Sequence, residues 1–278
     1  MKHKKIYTTI FVLALILCGF LYFWFFIRTV GANTIPVITY HSIQDENPEN
    51  NEYIVETKDF EKMVKGLSEE NFTFLDTYSL LNIIENKEKL PKNPVLITFD
   101  DGYKDNYKNA YPILEKYNAK GTIFIIGSYV GSKGNYLNWD EIQEMADSNV
   151  IDIQSHSYNL HDLFEDGENK GKTWLSAKLK DESDEHYYEK IKNDLIWNNN
   201  LIYEHSSKFP VALAYPGAMT NDIALQAVKD SGISIGFVGA NKRASSLDNL
   251  DSYEIKRFHV KNNSNVENII RFLHSNNR

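Results

Sequence analysis

Cysteine is almost missing: Cys18 is the only one in 278 residues, so no disulfide can form within the chain. An excess of basic charge is missing too. Lys and Arg number 30 against 38 Asp and Glu, giving a formal net charge of -8. Binding to phosphate backbones needs a basic face, so the balance argues against a nucleic-acid partner. Internal repeats are also absent. What remains is an ordinary globular composition, 42% hydrophobic and 24% charged, at a length that one α/β barrel can occupy.

One long apolar run stands at the start. Lys2, His3, Lys4 and Lys5 precede a nearly unbroken stretch from about Ile6 to Ile27, closed by Arg28. It exceeds the roughly 20 residues that span a bilayer, and the lysines in front predict a cytoplasmic N-terminus. Val30-Gly31-Ala32 loosely fits a signal-peptide cleavage site. The run is nevertheless longer than the ~7–15 residues of a signal core, so an uncleaved anchor is the expectation. Residues 1–28 then form a cytoplasmic tip and transmembrane helix, 29–34 a linker, and 35–278 one exported domain. The chain is expected as a single-pass protein of the cell membrane, or secreted if the segment is cleaved.

Beyond the linker, strand-like and helix-like segments alternate. Strands are predicted at Ile35–Tyr40, Phe72–Leu75, Val95–Phe99, Thr122–Ile126, Ile151–Gln154, Val211–Tyr215, Ile235–Val238 and Glu254–Phe258. Helical spacing marks Phe60–Leu67, Leu80–Ile84, the set Tyr107, Ala110, Tyr111, Leu114 and Tyr117, Asp140–Ala146, Tyr188–Glu204, Asp222–Lys229 and Val266–His274. The first half of Glu165–Glu189 is charged and broken by glycine, and reads as an exposed loop. Such alternation predicts a parallel, barrel-like α/β domain of seven to eight strands.

Two motifs carry candidate chemistry. Val95, Leu96, Ile97 and Phe99 form a run with no polar face, the pattern of a strand inside a parallel sheet. It ends on Asp100-Asp101-Gly102, where α/β folds place their chemistry. Asp-Gly alone would make a turn. Two adjacent carboxylates additionally need a cation or a shared proton to offset their repulsion. The second motif is Ser155-His-Ser-Tyr-Asn-Leu-His161. Histidines five apart lie ~140° apart on a helix and on opposite faces of a strand, so they converge only if the chain turns between them. One carboxylate and two imidazoles leave coordination positions open, as in catalytic zinc sites, and the second carboxylate is free to act as a base. Non-haem iron oxygenases use a similar ligand set, so the pattern does not name the metal.

Taken in order, Thr98-Phe99-Asp100-Asp101-Gly102, the His156…His161 pair and Ala214-Tyr215-Pro216-Gly217 resemble the polysaccharide deacetylases of carbohydrate esterase family 4, the NodB-homology domain. The five-residue histidine spacing is most similar to the poly-N-acetylglucosamine deacetylases of biofilm exopolysaccharide systems. The resemblance runs from about Ile35 to the C-terminus and implies a (β/α) barrel. It implies that Asp101, His156 and His161 bind a divalent metal, usually zinc, with Asp100 as general base. Tyr215, Pro216 and Gly217 would line the site and supply an oxyanion-stabilising N–H.

The third motif departs from the commoner Arg-x-Pro-Tyr pattern, with Ala214 and Gly217 in place of Arg and Tyr. Arg257 is the candidate to orient Asp100 instead. His41, ending Thr39-Tyr40-His41, and His259, ending Arg257-Phe258-His259, compete as general acid, with His41 preferred. His186, His205 and His274 read as surface residues, and Trp139 and Trp174 as candidate sugar platforms.

The resemblance implies an enzyme that removes N-acetyl groups from an extracellular N-acetylglucosamine polymer. Peptidoglycan deacetylation, O-acetyl ester hydrolysis and glycan binding without catalysis stay open.

Overall fold

The computed structural model describes Leu15, Leu17, residues 33–239 and residues 244–276. Apart from Leu15 and Leu17, the expected transmembrane segment lies outside these residues, as does most of the linker. Among the described residues no helix is long and apolar enough to cross a membrane.

Strands Val37–Tyr40, Pro94–Phe99, Gly121–Ile125, Ile151–Ser155, Ala212–Ala214 and Ile235–Val238 pair side by side, all parallel, in chain order. Two short strands complete the ring. Ile255–Lys256 pairs with Phe237 and Val238, while Phe258–His259 pairs with Ile38 and Thr39 at the opposite edge. A single residue, Arg257, separates them. The eight strands therefore make a nearly closed parallel barrel, as the alternating pattern predicts. Thr73–Leu75 adds to the lower half of Pro94–Phe99. All six residues of that strand are buried, which is why its sequence shows no polar face.

Alternation within each strand divides the core. Val37, Leu96, Phe124, Ala212, Ala214, Ile235, Phe237 and Ile255 pack together, while Ile38, Ile97, Ile123 and Ile153 belong to a second cluster. Helix Thr57–Glu69 completes that second cluster with Phe60, Met63, Val64 and Leu67, spaced i, i+3, i+4, i+7.

Three elements differ from the sequence expectation. Pro36 divides the first strand, leaving Thr34–Ile35 to pair antiparallel with Ser245–Ser246. The helix expected around Tyr107–Tyr117 begins as a wide π turn, Asn106–Ala110, before Tyr111–Lys116. Pro112 has no N–H to continue an i→i−4 ladder, so the turn widens there. The long helix starts four residues early, at Asp184, because Ser183 accepts the His186 N–H and caps it.

Candidate active site

Strand ends converge on a cleft of about 460 Å³ lined by Asp100, Asp101, His156, His161, His41 and Arg257, among others. A larger cavity, about 750 Å³, lies against the 164–180 loop, with Lys172, Asn169 and Phe164 in its wall. Its wall contains no histidine, whereas the smaller cleft gathers the candidate carboxylates and imidazoles.

Asp100 and Asp101 are both buried, at 4% and 8% exposure, yet they face different partners. Arg257 donates Nη1–H to Asp100 Oδ1 at 2.6 Å and Nη2–H to Oδ2 at 2.7 Å. Two further N–H groups donate to Thr39 Oγ1 and the Val238 carbonyl. Phe124 and Phe237 lie beneath the guanidinium, 5.7 and 6.0 Å from ring centroid to Cζ. Burial pushes the Asp100 carboxyl up, but the Arg257 charge, with His156 and His41, holds it below the usual carboxylate value.

Asp101 turns the other way because its backbone takes φ 74°, a left-handed conformation unusual for a residue with a side chain. Its Oδ1 sits 3.4 Å from His156 Nε2 and 3.3 Å from His161 Nε2. Burial raises this carboxyl too, and the two imidazoles pull it well below its ordinary value.

The turn that brings the histidines together is visible in the loop between them. Ser157 adopts φ 71°, and Asp194, from the long helix, accepts the Tyr158 and Asn159 N–H groups at 2.8 and 2.9 Å. The rings end 5.0 Å apart. His156 Nδ1 lies 2.7 Å from the Ala214 carbonyl, which fixes the Nδ1–H tautomer and leaves the Nε2 lone pair facing the cluster. Asp101 Oδ1 is buried without a hydrogen-bond partner, and all three ligand atoms lie within 4.8 Å of one another. Those features fit a divalent metal ion: the donors converge, the tautomer is set, and the buried anion lacks a cation.

His41 and His259 both reach the cleft, their ring centroids 4.8 Å apart. Tyr53 stacks on His259 at 5.3 Å and meets His41 edge-on at 5.0 Å. Burial pushes His41 down; Asp100 and Asp101 oppose this, while Arg257 and His156 add to it. Burial and then His41 itself push His259 down to about 4.

In the third motif, Tyr215 and Gly217 line the cleft, whereas Pro216 is buried and does not. The Tyr215 ring packs with Leu213, Ala224 and Val228, away from the reacting groups. Trp139 stacks on His205 at 4.3 Å against the core, and neither tryptophan lines the cleft. His205 is consequently half-buried rather than a free surface group, and His274 pairs with Glu70. His186 is exposed as expected. Sequence reasoning missed Asn51, Tyr53, Tyr103, Leu163 and Thr173, all in the cleft wall. Tyr103 alone carried a signal, closing the Asp100-Asp101-Gly102-Tyr103 motif.

Residues 87–236, more than half of the chain, match the family model described as polysaccharide deacetylase. The chain belongs to the polysaccharide deacetylase family. It is an enzyme of that family by kinship with curated N-deacetylases. A poly-beta-1,6-N-acetyl-D-glucosamine N-deacetylase of Staphylococcus epidermidis is 29% identical over 248 residues, covering 84% of this chain and 81% of the relative. The protein of the same name from Staphylococcus aureus is 28% identical over 256 residues, covering 86% and 82%. Among solved structures, a de-N-acetylase from Aggregatibacter actinomycetemcomitans matches with TM-score 0.77 at 22% identity, covering 86% of this chain and 100% of its own. IcaB from Ammonifex degensii matches with TM-score 0.72 at 20% identity, covering 88% and 98%. At those identities the structural matches speak for the barrel alone.

Proposed function

We propose that this polysaccharide deacetylase removes N-acetyl groups from a poly-N-acetylglucosamine outside the cell, held at the membrane by its N-terminal segment. The observation that carries the reading is the split between the two aspartates. One is bound by an arginine and one faces two imidazoles, in a cleft of a fold whose curated relatives act on that polymer. Asp101, His156 and His161 would hold a divalent metal, taken as zinc from the family resemblance. Such an ion, when bound, polarises the acetamido carbonyl and acidifies water.

The chain's own groups do the rest. Asp100, fixed by Arg257, takes a proton from the attacking water. Its lowered proton affinity makes it a weak base, so it needs a water already acidified. The Tyr215 N–H is committed to the Phe237 carbonyl and Pro216 has none, which leaves the Gly217 N–H to face the developing oxyanion. As the C–N bond breaks, the electron pair stays on nitrogen, which takes a proton from His41. Burial leaves both imidazoles below their ordinary value, His259 at about 4, and His41 is preferred as the acid because both Asp100 and Asp101 act on it to favour the protonated form.

The test is acetate release by the full-length, zinc-loaded chain from β-1,6-linked oligo-N-acetylglucosamine, with peptidoglycan fragments and acetyl esters alongside. Release that a chelator stops, that zinc restores, and that Asp100→Asn removes while metal content holds supports the proposal. Glycan binding with no acetate release by the loaded protein overturns it, and faster release from peptidoglycan or esters reassigns the substrate.

A further inference from the structure

The segment that carries the paired carboxylates also holds the backbone around His41. Asp105 accepts the Ser42 hydroxyl proton at 2.6 Å through Oδ2 and the Ile43 N–H at 3.0 Å through Oδ1. Asn106, fully buried, donates Nδ2–H to the His41 carbonyl at 2.8 Å and to Asp105 Oδ1 at 3.1 Å. Asn109 adds a bond from its Nδ2 to the Ile43 carbonyl at 2.7 Å. On the near side the Asp100 N–H donates to the Tyr40 carbonyl at 3.0 Å. Tyr40, His41 and Ile43 are thus held through their main chain, and Ser42 through its hydroxyl, by groups between Asp100 and Asn109.

A catalytic histidine is commonly oriented through a hydrogen bond to its second ring nitrogen. Here no described protein group bonds His41 Nδ1. Ring packing against Tyr53 and His259 limits its tilt, so the ring's position follows from where its backbone is held. The π turn over Asn106–Ala110 opens on the two residues involved, and such turns recur at functional sites.

We propose that Asp105 and Asn106 are positioning residues for His41, tying the general acid to the same stretch of chain as the base and the metal ligand. The inference rests on the reading of His41 as the acid. Misplacement by ~1 Å can cost on the order of a hundredfold in rate.

Leaving-group dependence tests it. The amine of an N-acetyl sugar must be protonated to depart, whereas 4-nitrophenolate leaves 4-nitrophenyl acetate as an anion. In the zinc-loaded full-length protein, Asn106→Ala should lower kcat on the oligosaccharide by ~10- to 100-fold, within the range general acids supply. KM, zinc content and 4-nitrophenyl acetate hydrolysis should change little. Asp105→Asn, which conserves volume, carries the same expectation if Asn106→Ala does not fold. Equal losses on both substrates, or no loss on the sugar, overturn the proposal. His41→Ala is the reference: a split there without one in the Asp105 and Asn106 variants sinks the positioning role alone. No split in His41→Ala removes the acid assignment itself.

Discussion

Arg257 binds both oxygens of Asp100, at 2.6 and 2.7 Å, from the one residue that interrupts the strand closing the barrel. Both partners are almost wholly buried, and Arg257 is the largest charge holding Asp100 ionised, ahead of His156 and His41.

Removing one partner should therefore cost far more than removing the pair. Arg257→Ala should lower unfolding free energy by about 3–5 kcal/mol, as for other broken buried ion pairs. The double variant Asp100→Asn/Arg257→Leu should regain much of that loss while staying inactive. Urea unfolding of the three proteins measures both numbers. A double variant no more stable than Arg257→Ala would show that the arginine matters through packing.

Metal content separates the two aspartates. Wild type should take up roughly one zinc per chain; Asp101→Ala, His156→Ala and His161→Ala should each bind less, while Asp100→Asn should keep it. Atomic absorption after dialysis reads the difference. Zinc lost equally from Asp100→Asn would end the division of roles.

Much of this arrangement is readable along the chain, and the rest is not, for physical reasons. The buried run before Asp100 and the parity of Phe124 and Phe237 are local patterns, since a strand's two faces alternate. The convergence of His156 and His161 is a condition the spacing poses but cannot meet alone. Its solution, Asp194, sits 33 residues beyond His161 on a helix whose polar face offers no local sign of the contact. Tyr215 misleads in the opposite direction. It stands next to cleft-facing main chain, yet strand alternation from Ala214 sends its ring into the core.

Asp194 gives a pH prediction. Burial pushes its carboxyl up to about 6, against the opposing pull of the Tyr158 and Asn159 N–H groups. A carboxyl raised in the folded state binds its proton more tightly there than when unfolded, so ionisation weakens the fold. Stability attributable to this group is greatest below about pH 4 and is lost as pH rises through about 6. Relative to Asp194→Asn, wild type should weaken by about 3 kcal/mol across that window and then level off. Unfolding free energies of both proteins at pH 4 to 7 check it; a constant difference would refute the raised value.

Gly102 offers a steric test. Its φ is +76°, and an added Cβ would lie 3.0 Å from Ile125 Cγ2. Gly102→Ala should lose about 1–3 kcal/mol of stability from the left-handed conformation alone. It should also disturb Asp101, one residue away, and so reduce zinc affinity. Thermal unfolding with and without zinc resolves the two effects, and a variant matching wild type in both would show that the turn tolerates a side chain.

Under the proposed mechanism, the break at Arg257 ties the residue that holds the base to the two short strands that complete the sheet. Until the last strand docks, Asp100 has no guanidinium, and Val37–Tyr40 and Ile235–Val238 each expose an unpaired edge. Open edges invite pairing with other chains. Under the proposed mechanism, a molecule with the seam open would lack the ion pair that holds its base and would expose the two edges to pairing with other chains.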